Sequence, residues 1–109
     1  MNKRFELHEI LCELVNITGP DGDRHVYFDP PPSVRMKYPA IRYSRKNIDN
    51  SYANNAVYKQ GKAYEIVVID SDPDSVIVSK VSQLPGCSYD RHYKSDNLNH
   101  DVFTIYYKN

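Results

Sequence analysis

The chain has 109 residues, with 14 Lys or Arg balanced by 14 Asp or Glu, so its formal net charge is zero. This length fits one domain with a modest core of two packed layers, and the charge balance excludes a uniformly basic nucleic-acid-binding protein. The composition holds 10 Tyr, 3 Phe and no Trp. The longest apolar runs have four residues, far below the ~20 that span a bilayer, and the N-terminal residues show no secretion signal.

Residues 4–15 are predicted to form an amphipathic helix, because apolar side chains recur there at three- and four-residue spacing. A Gly- and Asp-rich turn at 18–23 ends this helix. Residues 24–28 have strand composition, and the segment 40–43 alternates apolar and polar residues. Between these two segments, Pro30-Pro31-Pro32 predicts an extended connection.

Residues 47–55 form a predicted polar loop in which Ile48, Tyr52 and Ala53 are candidate anchors to a core. A hairpin follows, with Val57-Tyr58, a turn at Gln60-Gly61 and a strand at 62–69. In that strand both faces are largely apolar, which is typical of a central strand covered on two sides. A partner subunit is one candidate for the second cover. The two faces are Tyr64, Ile66 and Val68 on one side and Ala63, Val67 and Ile69 on the other.

A second helix is predicted to open with Asp72 as N-cap and Pro73 at its first position, and to stop at Leu84-Pro85-Gly86. The tail then predicts strands at 88–93 and 101–107 around a turn at 95–97. We therefore expect an α+β fold. It consists of an antiparallel or mixed sheet of about four to five strands with two helices packed mainly on one face. One domain, 1–109, would carry an arm at 44–58.

No arrangement of residues typical of a catalytic or metal site is found. The acids at 70–74 alternate as in a calcium loop, but Ser75 and Val81 stand where that loop needs Gly and Glu. We expect no enzyme, cofactor or metal; a metal-dependent hydrolase using Asp70–Asp74, or His92 with His100, is the alternative. Cys12 and Cys87 are isolated, so two free thiols are expected, with a bridge or metal site left open.

One basic segment interrupts the balanced charge. It has no acid between residues 33 and 46, and it interleaves cations with Tyr38 and Tyr43. The cations are Arg35, Lys37, Arg42, Arg45 and Lys46. Weighed against the zero net charge, this segment is interpreted as a solvated strand edge, because Lys and Arg discourage unwanted strand pairing. The alternative is a single-stranded nucleic-acid-binding surface using Arg42, Tyr43, Arg45 and Lys46, because cations with stackable aromatics can bind such strands.

The ordered set of segments resembles the tail-terminator, or tail-completion, proteins of long-tailed bacteriophages and prophages. The matching segments are the first helix, Val26-Tyr27-Phe28, Tyr38-Pro39-Ala40-Ile41-Arg42-Tyr43, the polar segment 48–55, Tyr64-Glu65-Ile66-Val67-Val68-Ile69, the helix start at 72–75 and Phe103-Thr104-Ile105-Tyr106-Tyr107. The resemblance spans residues 5–107.

That resemblance implies a structural protein of the virion tail, assembled in the cytoplasm of a bacterial host. Its copies would form a homo-oligomeric ring that caps the tail tube, ends tube polymerisation and contacts the head connector, without catalytic residues or membrane contact. Subunit contacts would use an arm at 47–58 through Ile48, Tyr52 and Tyr58. The basic stretch 35–46 would face the channel and any passing DNA.

Overall fold

A five-stranded mixed sheet carries two helices on one face, in a computed structural model that describes residues 3–17, 22, 24–46 and 61–108. Within these residues the helices are α1 (Lys3–Val15) and α2 (Val76–Ser82). The strands are β1 (Val26–Phe28), β2 (Ala40–Lys46), β3 (Gly61–Asp70), β4 (Cys87–Ser95) and β5 (Leu98–Lys108). The predicted α+β class is confirmed.

The strands lie in the order β1-β2-β3-β5-β4, and β1 and β2 are the parallel pair. The central strand β3 pairs antiparallel with β2 and with β5. Because β1 and β2 run in the same direction, residues 29–39 return from one end of the sheet to the other between them. This crossover makes the sheet mixed rather than wholly antiparallel.

The main core lies between the helices and one face of the sheet, here called the helix side. Leu7 and Leu11 of α1 and Val81 of α2 are fully buried in it, and burial of each such side chain contributes roughly 2 kcal/mol. The strands add Ile41, Tyr43, Tyr64, Ile66, Val68, Phe103 and Ile105. The predicted first helix and the predicted facing of Tyr64, Ile66 and Val68 are thereby confirmed.

The opposite face, here called the helix-free side, has its own small apolar cluster. Val67, Ile69 and Val102 are at most 2% exposed, and Met36 and Leu98 pack against them. Met36 belongs to the 29–39 crossover, which is also anchored where the Lys37 amide donates to the Tyr27 hydroxyl at 3.1 Å. The chain itself therefore covers the second apolar face of β3, so that face does not require a partner.

The second helix begins three residues later than the sequence suggested. Its N-cap is Ser75, whose hydroxyl accepts from the Ile77 amide at 3.3 Å. The expected capping role of Asp72 is wrong, because Asp70 and Asp72 each close a turn instead. The Asp70 carboxylate accepts from the Asp72 amide at 3.0 Å, and Asp72 accepts from the Asp74 amide at 2.9 Å. The predicted stop before Pro85 agrees with a helix that ends at Ser82.

A long hairpin, β4–β5, closes the sheet at one edge. Asp96 and Asn97 form its two-residue turn with positive φ angles of 54° and 63°, a conformation that Asp and Asn tolerate. Between Tyr89 and Arg91 the register shifts by one residue, so Asp90 forms a β-bulge. The predicted tail strands are confirmed and extend further than expected.

Candidate functional site

The predicted basic stretch is divided between the two faces of the sheet. Strand register places Arg42 beside Val67, and therefore on the helix-free side. Arg45 lies beside Tyr64, on the helix side. Lys46 returns to the helix-free side, where its ammonium group donates to the Thr104 hydroxyl at 2.8 Å, across β3. The five cations therefore do not form one surface.

The other two cations of the stretch lie in the crossover. Arg35 and Lys37 are exposed on either side of Met36, which packs on the helix-free side. The two cations therefore flank the residue of the crossover that covers the helix-free cluster. Tyr38, the neighbouring aromatic, is 42% exposed.

Tyr43 is not available for stacking, which overturns its role in the nucleic-acid interpretation. It is fully buried in the helix-side core. Its hydroxyl lies 2.7 Å from Nδ1 of His8 and accepts from Arg4 at 3.3 Å. Burial raises the pKa of Tyr43, against the effect of the Arg4 guanidinium. Burial and then the Arg4 charge lower the pKa of His8. Tyr43 is therefore a polar anchor of the core.

An aromatic pair that the sequence analysis missed lies on the helix-free side of the β4–β5 hairpin. Tyr93 and His100 stack with centroids 4.6 Å apart and planes at 15°, and Nδ1 of His100 donates to the Leu98 carbonyl at 3.0 Å. The Arg91 guanidinium lies 5.9 Å from the centroid of the Tyr93 ring. Counting residues outward from the two-residue turn pairs Tyr93 with His100, so the signal was present in the sequence.

An apolar groove opens between α1 and the loop that joins α2 to β4. Its volume is about 490 Å³. Its lining residues are Leu7, Ile10, Leu84, Pro85, Gly86, Ile105 and Tyr106. Ile10 is partly exposed and belongs to neither apolar cluster of the described residues. The groove therefore offers apolar surface that the described residues leave open.

Gly86 shapes one wall of this groove through its backbone. Its φ is +78°, and a Cβ added there would lie 2.7 Å from the Tyr106 carbonyl oxygen. The Tyr106 amide donates to the Gly86 carbonyl at 3.1 Å. A side chain at this position would therefore push the loop away from β5.

The residues of the hydrolase alternative are not brought together. His92 lies beside Asp101 and contacts the Asn99 side chain at 3.0 Å, whereas His100 faces the helix-free side. Among the described residues, no group of three or more His, Cys, Asp or Glu side chains is placed to hold a metal ion. Cys12 and Cys87 are free thiols, and burial raises the pKa of Cys87 to about 11.

The predicted arm anchors Ile48, Tyr52 and Tyr58 lie outside the described residues, as do the loop at 47–55 and the turn residue Gln60. Within the described part of the chain, no helix is long and apolar enough to cross a bilayer. Comparison of the chain with protein-family models, curated protein sequences and solved structures gives no match.

Proposed function

We propose that this chain is a structural subunit that self-associates head to tail into a ring, as the resemblance to tail-terminator proteins implies. The ring would cap a phage tail tube within the virion, end tube polymerisation and present a surface to the head connector. This role is architectural and uses no catalytic residue or cofactor. The order of described elements supports it, because a helix, two strands, a long central strand, a second helix and a hairpin follow one another as in the resemblance.

The observation that carries the proposal is the open apolar groove between α1 and the α2–β4 loop. Its lining combines the partly exposed Ile10 with Leu84, Ile105 and Tyr106. An exposed apolar groove of this kind is a candidate site of association. A second copy of the chain is the occupant that we propose.

The position of the groove favours a head-to-tail contact. Lys46 pairs with Ala63, and Ala63 pairs with Tyr106, so β2, β3 and the groove wall meet at one end of the sheet. The connection 47–60 joins β2 to β3 at this same end, and its sequence carries Ile48, Tyr52 and Tyr58. A polar segment with apolar anchors on one copy and a groove on the next are different surfaces, and such a contact forms a ring where the rotation between copies closes.

Ile10→Glu tests this contact, with Val76→Glu as its matched control. Val76 is 68% exposed on α2 and does not line the groove. Light scattering after size exclusion should give wild-type protein a mass several times the 12.7 kDa of one chain. Ile10→Glu should give monomers, whereas Val76→Glu should leave the assembly intact. A wild-type chain that stays monomeric at high concentration and on added tail tubes would refute the proposal.

Tyr52→Ala distinguishes a neighbour's segment from the chain's own segment in the groove. If the neighbour supplies the segment, this variant loses assembly while the monomer keeps its thermal stability. If the chain fills its own groove, the monomer itself becomes less stable, and the head-to-tail contact through the groove is wrong.

A further inference from the structure

The helix-free side carries a row of cations that the strand register aligns. Arg42 on β2, Val67 on β3, Val102 on β5 and Arg91 on β4 lie side by side. Three strand spacings separate the two arginine backbones, about 14 Å. Lys46 lies further along the same face, with its ammonium group on Thr104. Two guanidinium groups therefore flank the cluster of Val67 and Val102 that Met36 covers, and an ammonium group lies further along the same face.

Acidic side chains are sparse on this face. Among the paired residues of β2 to β5 that the structure describes, Glu65 is the acid on this face, and it lies beside Ser44 and Thr104. Asp90 at the bulge pairs with Arg91 at 2.8 Å, but both side chains are at least 40% exposed. Such an exposed pair is weak and can yield to a phosphate group. The acids of α1 and Asp101 lie on the helix side.

The stacked pair of Tyr93 and His100 adds an aromatic surface beside Arg91. Tyr93 is 37% exposed, and its ring is held by His100 on one face. Aromatic rings beside cations bind unpaired bases by stacking, in a way that tolerates any base sequence. A duplex keeps its bases stacked on one another, so this surface suits a single strand.

We propose that the helix-free side binds single-stranded nucleic acid, with phosphates at Arg42, Lys46 and Arg91 and a base against Tyr93 and His100. This assignment does not depend on self-association. It replaces the surface suggested by the sequence, because Tyr43 is buried and Arg45 lies on the other face. The cations come from β2 and β4, two strands that are remote in the chain, and they share one face only in the folded sheet.

Fluorescence anisotropy with a labelled oligothymidylate tests the cations, with Arg45→Ala as the matched control. Arg42→Ala and Arg91→Ala should each weaken binding and reduce the slope of log affinity against log salt by about 0.7. Arg45→Ala removes the same charge from the same strand as Arg42→Ala, but from the other face. It should leave the affinity and the salt slope unchanged. Equal losses for Arg42→Ala and Arg45→Ala, or no binding at low salt, would overturn the proposal.

Two further variants test the base contact and guard against misfolding. Tyr93→Ala should weaken binding about fivefold or more without changing the salt slope, because it removes stacking and no charge. Asp90→Asn should strengthen binding by freeing Arg91, a gain that loss of folding cannot produce.

Ile10→Glu should bind as wild type, which separates this site from ring formation. Equal affinity for a duplex of the same length would refute the assignment to single strands.

Discussion

Replacing Tyr43 with Phe measures what a buried hydroxyl contributes to the helix-side core. The Tyr43 ring lies 5.0 Å from the ring of Phe28 and 6.1 Å from that of Tyr64, so Phe fills the same space and leaves no cavity. What is lost is a chain of two hydrogen bonds. Arg4 donates to the hydroxyl oxygen, and the hydroxyl proton is then directed to Nδ1 of His8.

The expected cost is about 1 kcal/mol of unfolding free energy, because a neutral hydrogen bond contributes roughly that amount net of hydration. The short contact is the one to His8 at 2.7 Å; the Arg4 contact at 3.3 Å is long, and that side chain is only partly buried. For a domain of about this size, the melting temperature should fall by about 4–8 °C.

Urea unfolding followed by circular dichroism checks this value, with Tyr89→Phe as the control. The Tyr89 hydroxyl donates to Asp101 at 3.1 Å on an exposed strand, so its loss should cost less than about 0.5 kcal/mol. A double-mutant cycle with His8→Gln should give a coupling energy of about 1 kcal/mol with Tyr43→Phe. Equal destabilisation by the two Phe variants, or no coupling to His8, would refute the reasoning.

Two further predictions concern pH and backbone geometry. Because burial and Arg4 lower the pKa of His8 below its ordinary 6.5, the unfolded chain takes up this proton first as pH falls. The free energy of unfolding should therefore be highest above about pH 6.5, the ordinary pKa of the unfolded His8. Below that pH it should decline by at most about 1.4 kcal/mol per pH unit. On acidification, the free energy of unfolding should fall more for wild type than for His8→Gln, and urea unfolding at several pH values measures this difference. Gly86→Ala should cost about 2–3 kcal/mol, because a positive φ and a 2.7 Å backbone clash act together. Gly22→Ala, with φ +83° and nothing within 4 Å, should cost only about 1 kcal/mol in thermal unfolding.

Local patterns predicted most of the fold. The helical spacing of Leu7 and Leu11 and the alternation along β3 depend on burial of one face, and the observed burial follows both patterns. The hairpin turn at Asp96 and Asn97 followed from residues that tolerate positive φ. The start of α2 was placed wrongly, because Asp72 can cap a helix or close a turn and only the neighbouring carboxylates decide between these roles.

It was harder to predict which residues share one surface, because that depends on contacts between remote segments. Nothing local indicates that Met36 covers Val67, or that Tyr43 meets His8 of α1. Side chains alternate along a strand, so Arg42 and Arg45 lie on opposite faces of β2, and the single surface predicted for them did not take this into account. Which of these faces α1 occupies is a tertiary property. The position of Arg91 beside Val102 further depends on the bulge at Asp90, which shifts the register by one residue.

The bulge at Asp90 also affects how concentrated solutions of this protein behave. In the described part of the chain, β4 presents nine residues at one edge of the sheet, and β1 presents three at the other. A bulge and the charged side chains of β4 hinder the addition of a further strand, and a three-residue edge offers too few hydrogen bonds. We therefore expect the sheet to resist open-ended growth into cross-β fibres, leaving side-chain surfaces to determine which assemblies form.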